Sequence, residues 1–439
     1  MRSRSSRSTG RARRTPPPRP AVVAYLLPAI VGGGLGDVEE VLAAGRRLAR
    51  SGVPLVLYRR PGRPLPRGVD GPWAWPTHRR VDRLVPDRRA ALTITPAWGV
   101  SAAPAGPAPL GGPGPWSEEV VAIERAHGAD RTIHASLEEF ARTLPMRVEN
   151  RERLREGGVR SRALADRLAR ARAAGDVATF DRAYRRFRAF DRPNVLHLFA
   201  TFRPNRSFAR AFPEAVQTGP LWPARYSRAS SRAPRSTRWV WYASPASAES
   251  IAPDVDRGLA ATEGGAQLFV RTPRPWRPRR WASTVRVSAD PLAPGRWRRR
   301  FRGADVRIVT GSRSLLEAIE VGGPFLYFNG VLGAGSARRR HRPEKIAALL
   351  ALAREARWPS DVRRDLADFA SGRRVAAITE RVARRAGGWG RPRPALRLSG
   401  FPPGFDDAGT VLVRVARALA RPGASAPGIV ARLRAGENP

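Results

Sequence analysis

Two rounds of short apolar runs alternating with stretches of helical spacing narrow the fold of this chain more than any other feature. The first round opens with AVVAYLLPAIVGGG from Ala21, passes a glycine-rich turn, and continues through VEEVLAAGRRLARSG to VPLVLYRR. Strand, turn, helix and buried strand in that order make a βαβ unit, whose strands pair in parallel. LTITPAWGV (92–100) and VLHLFATF (195–202) read as further strands of the same sheet, and 118–190 reads as helices. The second round starts at WVWYASPAS (239–247), followed by a helix over 248–262, then AQLFVRTP (266–273) and VRVSADP (285–291). A helical piece near 295–303 precedes ADVRIVTG (304–311), the helix SLLEAIEVG (314–322) and PFLYFNG (324–330). Pro343 to Arg385 reads as mostly helical, and an amphipathic helix at about 406–421 closes the chain. The expected fold is α/β, with two doubly wound Rossmann-like domains facing across a cleft. Ligands of such sheets bind at the carboxyl ends of the strands.

At 439 residues, two domains are the natural expectation. Residues 1–20 hold seven arginines and no acid, and read as a disordered basic tail. The expected boundaries are 21–220 for an acceptor-side domain, 221–237 for an Arg/Ser/Pro linker, 238–405 for a second domain, and 406–439 for a terminal helix and tail. A basic start before an apolar run imitates a secretory signal, but the βαβ rhythm that follows argues for a first strand instead. The longest apolar stretch, Ala21 to Gly36, is short and glycine-rich for a membrane span.

The chain carries a formal charge of +43 and no cysteine. The missing thiols exclude disulfides, Cys-ligated zinc, iron–sulfur clusters and a Cys nucleophile. The charge first suggests nucleic acid or an anionic membrane. Yet the basic residues are arginines throughout, apart from Lys345, alongside abundant Ala, Pro and Gly. That one-sidedness points to a compositional bias, with much of the arginine on a solvated surface.

The most specific local signal is ADVRIVTGSRSLLEAIEVGGPFLYF (304–328). A strand ends at Thr310-Gly311 and a helix begins around Ser314. Gly311 lets backbone approach a ligand, and exposed N–H groups at a helix start favour phosphate oxygens. Ser312 and Ser314 add hydroxyls. Glu317 lies one turn beyond Ser314 on the same face, placed to accept from ribose hydroxyls. An ordinary βα corner with a capping serine would have the same residues.

The spacing Gly311, Ser314, Glu317, Gly322, Pro324 fills every fixed position of G-x-x-[ST]-x-x-E-x-x-x-x-G-x-P. In this the chain resembles the GT-B glycosyltransferases, in the branch of the MurG-type and UDP-glycosyltransferase-like enzymes. The resemblance implies a GT-B fold, a nucleotide-diphosphate sugar as donor, and no other cofactor. It also implies that Gly311, Ser312 and Ser314 face the diphosphate, that Glu317 holds the ribose, and that Ser244 lies near the phosphates. Two departures stand out. Val309 occupies a position where that branch usually has His, and NGVLGAGSARRRHRPEKI (329–346) replaces its Asp/Gln-rich segment. The replacement runs through Arg338 to Arg342 and reaches Lys345. Arg342 and Lys345 are candidate cations for a leaving diphosphate, although a solvated helix start with a Glu–Lys pair is an equal reading.

Other candidates are less specific. Gly33, Gly34 and Gly36 form a turn similar to the GGLGD turn of glycogen-synthase-like GT-B enzymes and belong to the acceptor side. Asp37 could act as a general base or cap a helix. His134 and His197 sit near strand ends and could act as base, though such histidines are more often structural. Arg271 closes a strand and could touch base or phosphates. Trp276, Trp281 and Trp297 lie among arginines and read as loop anchors. No carboxylate pair has a convincing strand-end context for a divalent cation, so no metal is expected.

The sequence therefore points to a metal-independent, cytoplasmic glycosyltransferase, peripheral on the inner face of the membrane if its acceptor is lipid-linked. Its expected partners are a nucleotide sugar, a lipid-linked or small-molecule acceptor, and an anionic membrane surface; nucleic acid is not expected. The alternatives are a basic module binding nucleic acid or a membrane without catalysis, and a sugar-nucleotide epimerase of the same fold.

Overall fold

The computed structural model describes residues 21–28, 36–58, 77–78, 89–96, 117–139, 192–201, 213–221, 237–243, 245–261, 265–271, 284–288, 294–321, 324–328, 330–332, 339–341, 357–384 and 406–439, with a few single positions between them. The tail over 1–20 and most of the expected linker lie outside these residues.

The first sheet has seven strands: β1 (Val22–Leu26), β2 (Leu55–Tyr58), β3 (Thr77–His78), β4 (Ala90–Pro96), β5 (Thr132–Glu139), β6 (Val195–Ala200) and β7 (Val216–Thr218). Their spatial order is β3-β2-β1-β4-β5-β6-β7, parallel at every pairing. Helix α1 (Gly36–Arg50) covers one face, on Ala24 and Leu26, and α2 (Ser117–His127) covers the other, on Val23 and Tyr25. Two expectations change here. Part of the segment read as helical is strand β5, and Val216–Thr218, where no strand was expected, is the seventh strand.

The second sheet contains β8 (Thr237–Tyr242), β9 (Ala266–Arg271), β10 (Val285–Ser288), β11 (Val306–Val309) and β12 (Phe325–Tyr327). Its order is β10-β9-β8-β11-β12, again wholly parallel. Its helices are α3 (Pro245–Ala260), α4 (Pro294–Gly303), α5 (Ser312–Val321), α6 (Ser360–Ala370) and α7 (Val375–Arg384). The strand period of two sorts the side chains. Trp239, Trp241, Leu268, Val270, Val306 and Ile308 pack with Ile251 and Val255 of α3 and Ile378 of α7. Val240, Tyr242 and Val309 pack with Trp297 and Phe301 of α4 and Leu315 of α5. Helices α3 and α7 touch at Gly258, where a Cβ would lie 2.5 Å from the Ala376 carbonyl oxygen. A ribbon of β13 (Gly330–Leu332) and β14 (Arg339–His341) follows the sheet.

The chain then returns to the first domain. Gly219, just past β7, donates to Asp406 O at 2.7 Å and accepts from Ala408 N at 3.0 Å. Asp407 caps α8 (Ala408–Leu419) by accepting from Thr410 N at 2.9 Å. The expected tail contains a further helix, α9 (Ala426–Arg434), from which Arg434 donates to Val195 O at 2.8 Å. Residues 406–439 thus pack against the first sheet, and one apolar cluster joins α8 and α1 to α4 and α5.

Buried polar groups tie these layers together. His134 on β5 has no solvent exposure. It pairs with Thr93 Oγ1 through Nδ1 at 2.8 Å and with Glu124 Oε2 through Nε2 at 2.7 Å. Arg192 and Asn194 also donate to Glu124. Burial pushes the His134 imidazole below its ordinary value against the pull of Glu124. A neutral ring then donates from Nε2 and accepts at Nδ1. Burial alone would raise the Glu124 carboxyl, but His134, Arg192 and Asn194 bring it down to about 2. In the second domain Arg307, 3% exposed, donates to the carbonyls of Phe301, Arg302 and Ala304 and so closes the end of α4. Burial lowers its guanidinium to about 10.

These directions set an acid limit on the fold. The unfolded chain takes up a proton at His134 below about 6.5 that the folded chain refuses, so stability should begin to fall there. Glu124 stabilises the fold fully above 4.5, and that contribution is lost as pH falls toward 2. Melting temperature against pH checks both. Glu124→Gln should flatten the lower part of the profile while costing roughly 1–3 kcal/mol at neutral pH, since Arg192 and His134 lose their charged acceptor.

Candidate functional site

A doubly wound sheet opens where its strand order reverses, because the connections from the two central strands leave on opposite faces. In the second sheet that place lies between β8 and β11. The glycine–serine–glutamate turn sits there. Val309, the last residue of β11, is the register partner of Tyr242, the last of β8. Thr310 Oγ1 then donates to Tyr242 O at 2.9 Å and locks the two strand ends together.

The turn is built from its own atoms. Gly311 N donates to Ser314 Oγ at 3.1 Å, and that hydroxyl donates to Gly311 O at 3.0 Å. Leu315 N also donates to Gly311 O at 3.0 Å. Helix α5 therefore starts at Ser312, two residues earlier than expected. Ser314 is 5% exposed, and its hydroxyl is spent on the turn, as a capping residue's would be, rather than turned toward a ligand. Its contribution is to hold the first N–H groups of α5 at the sheet's carboxyl edge, where the helix dipole is positive. Glu317 is half-buried one turn further along the same face. Ser312 begins the helix, and nothing more is described of its side chain.

Gly311 has no conformational need to be glycine. A Cβ there would meet Ser314 Oγ at 3.5 Å and Tyr242 Cε1 at 3.9 Å, ordinary contact distances. The bare backbone is thus available for something outside the protein to approach.

Arg271 ends β9 beside Tyr242, its register partner. It is 6% exposed, and its guanidinium carbon lies 5.8 Å from the centre of the Tyr242 ring and 5.6 Å from that of Trp297. Trp297 belongs to α4 and packs on Tyr242 and Phe301, so it is a core residue rather than a loop anchor. The next residue, Arg298, reaches Glu39 of α1 at 3.8 Å, and the same carboxylate oxygen is 3.9 Å from Arg46. The first turns of α1 therefore meet α4 beside the second sheet's edge.

The remaining candidates divide clearly. Gly36 and Asp37 are the first two residues of α1, so Asp37 lies inside the helix rather than before it; nothing more is described of its side chain. Gly33, Gly34, Ser244, Arg342 and Lys345 lie outside the described residues. His134 is sealed in the network with Glu124, which leaves no ring nitrogen for an acceptor. His197 on β6 is likewise without exposure, 6.4 Å from the Phe199 ring. Thr310, Tyr242 and Glu39 were not among the site residues expected from sequence. Thr310 directly precedes the motif glycine, and Tyr242 ends an apolar run; both cues were present but have many ordinary uses.

The architecture is α/β, two doubly wound parallel sheets with the chain's end returned to the first. No family model matches the chain, and no curated protein does. Among solved structures it is similar to the glycosyltransferase of kitacinnamycin, at 14% identity over 87% of this chain and 98% of that one, with a TM-score of 0.43. It is similar to an Arabidopsis thaliana protein solved as a complex with UDP, at 10% identity over 86% and 98% of the two chains, with a TM-score of 0.40. It is also similar to MurG of Acinetobacter baumannii, at 11% identity over 86% and 99%, with a TM-score of 0.34.

The spare room at Gly311 makes a direct test. Gly311→Ala should leave stability unchanged or raise it by up to about 1 kcal/mol, read as melting temperature. The same variant should weaken binding of a nucleoside diphosphate in calorimetry. Unchanged binding would remove the ligand from this turn.

Proposed function

We propose that the protein is a glycosyltransferase that takes a sugar from a nucleotide-diphosphate sugar held on the second domain. The observation that carries this is the position of the Gly311–Glu317 turn, whose helix start lies at the point where the sheet order reverses. Diphosphate oxygens would meet the first N–H groups of α5, and Glu317 would accept from the ribose hydroxyls. An acceptor oxygen attacks the anomeric carbon as the bond from that carbon to the diphosphate oxygen breaks. The bonding pair leaves with the diphosphate, and the acceptor proton goes to a base. Positive charge at the turn stabilises the leaving group as it develops, so the reaction proposed needs no metal.

We assign the base to Asp37. Of the three candidates, His134 and His197 lie sealed within the first sheet, while Asp37 opens α1, the helix that reaches the second domain. The acceptor is a lipid-linked or small molecule in this reading.

A binding screen with UDP, GDP and TDP and their sugars, comparing wild type with Glu317→Ala, tests the proposal. At least one diphosphate should bind, and loss of Glu317 should weaken it by roughly 1–3 kcal/mol. Failure of every diphosphate to bind would overturn the enzyme reading.

A further inference from the structure

Other arginines of the protein, buried or half-buried, spend their charge on protein oxygens. Arg307 donates to three carbonyls, Arg381 grips Asp365 at 2.6 Å and 2.9 Å, and Arg192 grips Glu124. Arg271 does not. Its Nη2 is buried without a hydrogen-bond partner, and among the described residues no carboxylate pairs with it. Two ring faces, Tyr242 and Trp297, are what the guanidinium rests on. Ring faces attract a cation but satisfy none of its N–H groups. A nearly buried cation with an orphaned donor is costly unless something completes it.

Its place in the sheet says where the completing group comes from. Arg271, Tyr242 and Val309 form one row across the carboxyl ends of β9, β8 and β11. The Tyr242 ring lies between the arginine and the α5 turn, with its Cε1 3.9 Å from the position a Gly311 Cβ would take. The helix start and the orphaned cation thus flank the same tyrosine. The helix offers backbone N–H groups; the arginine offers a fixed, planar set of donors suited to a carboxylate or phosphate.

We propose that Arg271 forms an oxyanion subsite beside the α5 turn, which takes an anionic oxygen of the donor. The inference rests on the nucleotide-sugar reading above and deepens it. The oxygen has two possible sources, the donor's diphosphate or a carboxylate on the transferred sugar.

Arg271→Met keeps the length and apolar contacts of the side chain while removing the charge; Arg271→Gln keeps a donor and is the second variant if the first does not fold. An arginine held for a ligand rather than for the fold predicts that Arg271→Met melts no lower than wild type. Calorimetric titration with pyrophosphate, UDP and UDP-glucuronate then reads the subsite. Tenfold or greater weakening of pyrophosphate and UDP assigns the oxygen to the diphosphate. Weakening confined to UDP-glucuronate assigns it to the sugar's carboxylate. If UDP binding is weakened by Glu317→Ala but all three ligands bind the Arg271 variants as they bind wild type, the subsite is overturned and the nucleotide site stands. A wild type that binds none of the three overturns both.

Discussion

A parallel sheet whose strand order reverses cannot cover its own centre. The chain leaves two neighbouring strands toward opposite faces, and the gap between those departures stays open at the carboxyl edge. Both sheets of this protein obey that constraint, with β1 beside β4 in the first and β8 beside β11 in the second. In the second sheet everything proposed for function depends on it. The Thr310–Tyr242 hydrogen bond holds the two strand ends at the gap. The Ser314 hydroxyl shapes the start of α5. Tyr242 and Trp297 carry Arg271 up to the same edge.

The arginine excess takes on a different meaning once individual side chains are placed. The formal charge of +43 invites either a polyanion-binding surface or a solvated one. Several arginines do neither. Arg307 closes the end of a helix, Arg434 fastens the last helix to the first sheet, and Arg192 stabilises a half-buried carboxylate. Long guanidinium side chains serve here as carbonyl and carboxylate clamps, work that the chain's single lysine type could do less well with one compact charge. Arg271 stands apart from these because its guanidinium rests on two ring faces, with Nη2 buried and unmatched.

The parts of the fold that were legible in the sequence are those where the hydrophobic period changes sharply. Val306–Val309 and Ser312–Val321 are an apolar run and an amphipathic segment joined by one glycine turn, so strand, turn and helix separate cleanly. Strand β5 was read as helix because TIHASLEE mixes polar and apolar residues and follows α2 closely. Its polar His134 is inside only because Thr93 on β4 and Glu124 on α2 satisfy its two ring nitrogens. Strand β7 is three residues long and is held by pairing with β6 and by the bridge to Asp407, almost two hundred residues away by the count of the chain. The site followed the same rule. Gly311, Ser314 and Glu317 announce themselves by spacing. The use of the Ser314 hydroxyl within the turn and the stacking of Arg271 on Tyr242 are three-dimensional facts with no local signature.

The central claim is that the second sheet's carboxyl edge is where a nucleotide binds. Hydrogen–deuterium exchange with and without UDP at saturating concentration tests it most directly. The account predicts slowed exchange in peptides covering Thr310–Leu316 and the end of β9, with the interior of the first sheet, around Thr93 and His134, unchanged. Protection confined to the first sheet, with none at the α5 turn, would contradict it.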